Sequence, residues 1–140
     1  MTPLTTCLDL SFQATPSSVR KARAAVGEVV SGLVRDKRLV DDVRLCVSEA
    51  VSNVVRHAYG TRRGAVDVRV EREDAELAVV VRDDGMGLRA SGGRGKAGGF
   101  GLKIIERVAS QHTIETKPKA GTVIRMVFAL DPPAYHSSDG

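Results

Sequence analysis

A two-layer α/β sandwich, with helices on one face of a mixed, largely antiparallel sheet, is the fold class that three features of this 140-residue chain predict. Apolar side chains recur every second residue in short runs bounded by turn residues, and every third or fourth residue in three longer runs. The runs come in the order strand, two helices, hairpin, glycine-rich loop, helix, hairpin. Strand pairs joined by a few residues are hairpins, whereas a doubly wound parallel sheet alternates single strands with helices, so the order favours the antiparallel solution.

Each element has its own signal. Leu8, Leu10 and Phe12 alternate with Asp9, Ser11 and Gln13 to give a first strand, and Thr15-Pro16-Ser17-Ser18 supplies cap and first-turn chemistry for a helix. Val19, Ala22, Val26, Val29, Val30 and Leu33 then form the apolar stripe of that helix, to Val34. The spacing of Leu39, Val43, Val47, Ala50, Val51 and Val54 predicts a second helix from Asp36 to His57, closed at Tyr59-Gly60, where glycine takes a left-handed cap. Val66, Val68 and Val70, a turn at Glu73-Asp74-Ala75, and the run from Leu77 to Val81 read as a hairpin ending at Asp83. Leu88 to Gly98, with glycines at 92, 93, 95 and 98, is expected to be a mobile lid. Phe100 to Ser110 reads as a helix, and strands are expected at His112 to Thr116 and Thr122 to Leu130. Residues 1–130 form one expected domain, and 131–140 an expected disordered tail.

Composition bounds the function. A chain of this length buries roughly two-thirds of its unfolded surface, enough for a core without staples. No run approaches the roughly 18 apolar residues of a membrane span, and Met1 to Thr6 lacks a basic start followed by an apolar stretch, so a cytoplasmic, membrane-free location is expected. The net charge of +4 is spread along the chain, and the five aromatic residues do not interleave with basic ones, which argues against direct nucleic-acid binding. Cys7 and Cys46 fit neither a disulfide framework nor a zinc site and are expected to be reduced packing residues.

Three clusters carry chemistry. On the second helix Asp42, Glu49, Asn53 and His57 fall on a flank away from the apolar stripe, where the Asn53 amide oxygen suits magnesium and Glu49 suits proton acceptance. The plainer alternative is a solvated helix face, and a lone histidine such as His57 is more often structural than a ligand. Asp83 follows Val79-Val80-Val81-Arg82, where a buried strand emerges, and Gly85 and Gly87 permit a tight turn. A carboxylate there accepts from an exocyclic amine, which adenine offers and guanine does not; a plain hairpin turn is the alternative, and Asp84 is turn chemistry. Gly99-Phe100-Gly101-Leu102 opens the third helix, so that orphan backbone N–H groups suit phosphate, or simply cap a surface helix.

Taken in order, Glu49-x-x-x-Asn53-x-x-x-His57-Ala58-Tyr59, Asp83-x-Gly85-x-Gly87 and Gly99-x-Gly101-Leu102, followed by Gly121-Thr122, resemble the N box and glycine boxes of the gyrase, heat-shock chaperone, histidine-kinase and MutL (GHKL) ATPase superfamily. The wording around Glu49 to Tyr59 is most similar to stand-alone anti-sigma-factor serine/threonine kinases of the RsbW type, over roughly residues 8 to 130. The resemblance implies a Bergerat-type fold binding Mg-ATP, with Glu49 as general base, Asn53 on Mg2+, Asp83 on adenine, Gly85 and Gly87 near the base, and Gly99, Gly101 and Leu102 near the phosphates. His57, Lys96, Gly98, Phe100 and Thr122 complete the nucleotide-binding set that it implies. It further implies a sigma factor and an anti-anti-sigma (STAS-type) protein as partners, the latter phosphorylated on serine or threonine, and a homodimer, to which such proteins tend. One departure stands out: Ala97 and Gly98 occupy the place where related kinases often carry arginine, with Arg94 and Lys96 slightly earlier. The alternative function is a non-catalytic ATP-binding regulator that acts by sequestering its partner.

Overall fold

The computed structural model describes residues 4–85, 99–117 and 120–130; the expected lid from Leu88 to Gly98 and the expected tail from Asp131 lie outside them. Five strands, β1 (Thr5–Gln13), β2 (Ala65–Arg72), β3 (Glu76–Asp83), β4 (Gln111–Lys117) and β5 (Gly121–Ala129), form one sheet in the order β1-β2-β3-β5-β4. All four pairings are antiparallel. Helices α1 (Pro16–Leu33), α2 (Lys37–Asn53) and α3 (Gly99–Val108) provide the second layer.

The helix starts follow from local chemistry. Pro16 occupies the first turn of α1, where its missing N–H is no loss, while the Ser18 hydroxyl donates to the Thr15 carbonyl at 2.6 Å and accepts the Thr15 N–H at 3.3 Å. The Asp36 carboxylate accepts the Arg38 N–H at 2.9 Å and so opens α2. α1 and α2 pack against each other, and α3 rests on α2.

Between the layers, Val26, Val30, Val43, Val47 and Val51 meet Val66, Val68, Val70, Leu77, Val79, Ile105, Met126 and Phe128, all fully buried or nearly so. Each such side chain contributes about 1.5–3 kcal/mol relative to exposure. The register sets β3 against β5 with Asp83 opposite Thr122 and Leu77 opposite Phe128, so one polar pair terminates an otherwise apolar central face. On the opposite face of the sheet Glu71 is buried, its carboxylate accepting from Arg125 at 3.0 Å and from Arg69 at 3.3 Å. Among the described residues no helix is long and apolar enough to cross a membrane.

Candidate functional site

The site is built where α2 ends beside the ends of β3 and β5. The expected single α-helix from Asp36 to His57 stops at Asn53, and Val54–Ala58 winds as a π-helical turn. The Val54 N–H is shared between the Ala50 and Val51 carbonyls, four and three residues back, where the α-helical ladder ends and the π turn begins. The wider turn seats Ala58 and Tyr59 against the end of β3. Gly60 then has φ of 63°, the left-handed closure expected from its position.

Asn53, the last α-helical residue, is 4% exposed, and neither its amide oxygen nor its amide nitrogen has a hydrogen-bond partner among the described residues. This overturns the solvated-face alternative for Asn53, although Asp42, Glu49 and His57 remain half-buried around it. Leaving such an amide unpaired costs about 1–3 kcal/mol, which a protein tolerates where the group has another use. The His57 pKa is lowered, first by burial and then by the neighbouring Arg56 charge, so the imidazole is neutral near pH 7.

Asp83, the last residue of β3, is 6% exposed, and its Oδ1 accepts the Gly85 N–H at 2.8 Å. Burial raises its pKa, while backbone hydrogen bonds from Gly85 and Thr122 oppose the rise. A β-carbon at residue 85 would collide with the Ala58 carbonyl oxygen, so only glycine lets this turn lie against the π turn. Thr122 is buried across from Asp83, with its hydroxyl 2.9 Å from that of Thr116, and Gly121 before it holds a φ of 94°. The Tyr59 hydroxyl accepts the Asp84 N–H at 2.9 Å.

Asn53, His57, Asp83 and Thr122 therefore line one pocket, with Val54, Ala58 and Ile124 as its apolar wall. Glu49, one turn before Asn53, does not line it, and Leu102 packs against the core. Gly99, Phe100 and Gly101 contribute the opening backbone of α3, whereas Gly87, Lys96 and Gly98 lie outside the described residues. The sequence pointed to Asn53 and Asp83 but assigned the pocket wall no role: Val54 read as part of the apolar stripe of the second helix, Ile124 was not singled out, and Ala58 and Tyr59 entered only as the end of that helix and of the motif that begins at Glu49.

This chemistry is specific. A buried carboxylate against an apolar wall pairs with an amine on a flat heterocycle, and the amide oxygen of Asn53 is a hard donor of the kind magnesium takes singly while keeping its waters. Among the described residues no three His, Cys, Asp or Glu side chains cluster as a metal site, so a multi-ligand cage is not part of this surface.

Comparison with known proteins bears on the same region. The family model described as the histidine kinase-like ATPase domain matches residues 12–128. The chain is 32% identical over 135 residues to an anti-sigma F factor of Pasteuria penetrans, covering 88% of this chain and 90% of that protein. It is 30% identical to an anti-sigma F factor of Clostridium acetobutylicum, covering 88% and 94%. A crystal structure of the RsbU and RsbW domains of a Mycobacterium tuberculosis protein superposes with a TM-score of 0.68 at 22% identity, covering 90% of this chain and 31% of that longer one. A histidine kinase domain from Erythrobacter litoralis gives a TM-score of 0.53 at 21% identity, covering 66% and 45%. At these identities the two structures speak to fold, and both carry the same sandwich.

Proposed function

The chain belongs to the histidine kinase-like ATPase domain family of the GHKL superfamily, and from that premise we propose that it is an ATP-binding anti-sigma factor with serine/threonine kinase activity. In this reading it phosphorylates a STAS-type anti-anti-sigma partner, sequesters a sigma factor, and works in the cytoplasm as a homodimer. The names of the relatives support the anti-sigma role. The observation that carries the nucleotide reading is the buried Asn53 amide, without a hydrogen-bond partner among the described residues, beside Asp83 in one pocket.

Asp83 accepts the exocyclic amine of adenine and repels the carbonyl that guanine carries at the same position. The Val54, Ala58 and Ile124 wall holds the base plane, and Gly85 and Gly87 let it approach the backbone. Asn53 would hold Mg2+ through its amide oxygen, and the ion would supply charge neutralisation for phosphoryl transfer. Thr122 and neutral His57 border the same space. Backbone N–H groups from Gly99 to Leu102 at the start of α3 would receive the phosphates, and the sequence resemblance adds Lys96 and Gly98 to that set. Glu49 takes the proton from the partner's serine or threonine hydroxyl as its oxygen attacks phosphorus.

Ala97 and Gly98 favour a second reading, a regulator that binds ATP and sequesters its partner without transferring phosphate, because they occupy the sequence place where related kinases often carry arginine. Calorimetric titration with ATP, with and without magnesium and against GTP, tests the common premise. Saturable, magnesium-enhanced binding of ATP over GTP is expected, with the magnesium enhancement lost in Asn53→Ala. Wild-type protein that ignores ATP would refute both readings. Incubation with STAS-type proteins then separates them: Glu49→Ala is expected to bind ATP normally and transfer nothing, and transfer by that variant at the wild-type rate removes Glu49 as the base.

A further inference from the structure

Tyr59 closes the π turn, and its hydroxyl uses both of its hydrogen-bonding functions on backbone groups of two different strands. It donates to the Ala65 carbonyl at 2.6 Å, at the first residue of β2, and accepts the Asp84 N–H at 2.9 Å, immediately after the last residue of β3. A phenol needs only one partner to be buried without penalty, and Tyr59 is 8% exposed. Three segments thus meet at one oxygen atom: the end of the helix that carries Asn53, the start of β2, and the turn that carries Asp83.

On its β5 side that turn lies against Gly121 and Thr122, and on its helix side it is held through Tyr59 and Ala58. Asp83 Oδ1 accepts the Gly85 N–H, and the carboxylate also takes a backbone hydrogen bond from Thr122, so its orientation is set jointly by the turn at residues 84 and 85 and by β5. Gly85 in turn lies against the Ala58 carbonyl, the residue before Tyr59. Asp84 itself is exposed, and among the described residues its side chain pairs with Arg82 at 3.7 Å, between two exposed groups.

We propose that Tyr59 is a positioning residue for base selection: its hydroxyl fastens the Asp83–Gly85 turn to the end of the Asn53 helix, fixing the amine-reading carboxylate relative to the cation-holding amide. The inference rests on the nucleotide reading given above. Tyr59→Phe keeps the ring and its packing and removes the oxygen. The ATP-to-GTP affinity ratio, taken from calorimetry with competition for the weaker ligand, is expected to shrink about tenfold in Tyr59→Phe. Hydrogen exchange of the Asp84 and Gly85 amides in the nucleotide-free protein is expected to rise by a similar factor, with the amides of β2 and β5 unchanged.

A merely structural tyrosine would lower Tm and leave the ratio of the two nucleotides alone, so a fall in Tm with an unchanged ratio overturns the proposal. Faster exchange at residues 84 and 85 with an unchanged ratio also overturns it, because the strut would then not reach the base. Wild-type protein that binds no ATP marks a failure of the nucleotide reading, seen before any variant is compared, and ends the base-selection role with it; unchanged exchange in Tyr59→Phe then removes the strut as well.

Discussion

Asn53 shows how a single residue reveals a site by costing stability. Its side chain is buried with both polar atoms unmatched among the described residues, so a leucine of similar size should relieve the desolvation penalty. Asn53→Leu is expected to gain about 1–3 kcal/mol in the nucleotide-free protein, seen as a rise in Tm, while losing magnesium-enhanced ATP binding. A lower Tm would mean that the amide has a partner and is structural. Asp83 makes the complementary case through pH. Its pKa is raised in the folded protein, so the folded state holds the proton more tightly and the carboxylate's cost to stability at neutral pH disappears as pH falls through that value. Binding runs the other way, since only the ionised form accepts an amine. Adenosine affinity is therefore expected to fall as pH drops below neutral, beginning above the ordinary aspartate range. Asp84 carries a negative charge beside it and His57 becomes protonated in the same acid window, below its ordinary value. Titration of His57→Gln separates the histidine; a flat profile in that variant would remove Asp83 as the reader of the base.

At the scale of elements, period-two and period-3.6 patterns located every helix and strand that the structure describes, with ends shifted by a few residues. The strand legible at Leu8 to Phe12 extends to Thr5–Gln13, because polar edge positions carry no alternation to read. The π turn was not legible. Apolar spacing through Val54 fits an α-helix equally well, and only the fit of Ala58 and Tyr59 against Gly85 and Asp84 decides the wider winding. The same limit applies to Glu71, which reads as an outward polar residue on β2 yet is buried because Arg69 and Arg125 fold over it from positions 2 and 54 residues away. Motif spacing identified Asn53, Asp83 and Thr122 as site residues, and the structure brings those three together with His57. Why Asn53 is buried rather than solvated depends on β3 and β5 closing over the end of α2, a long-range fact that helical periodicity does not contain.

For the molecule as a whole, the site and the core share walls but sit at different ends of the central strands. Val54, Ala58 and Ile124 belong to both the pocket and the core, whereas Leu77 lies six residues along β3 from Asp83, about 20 Å at the rise of a strand. Leu77 is fully buried opposite Phe128, and its truncation leaves a cavity in the core at the end of β3 away from the site. Leu77→Ala is expected to cost about 2–5 kcal/mol of stability, a large share of what a domain of this size has. Distant sites with no shared partner add, so the ATP dissociation constant should stay within about twofold of wild type. Ligand that binds only the folded state stabilises by mass action, and ATP at 100 times its dissociation constant should return about 2.7 kcal/mol to wild type and variant alike. Paired thermal melts with and without Mg-ATP measure both quantities. Equal ATP-induced stabilisation in the two proteins would establish that the pocket is organised locally, by Tyr59, Gly85 and the π turn. A smaller effect in Leu77→Ala would show instead that the whole sheet must be intact for Asp83 and Asn53 to face one another.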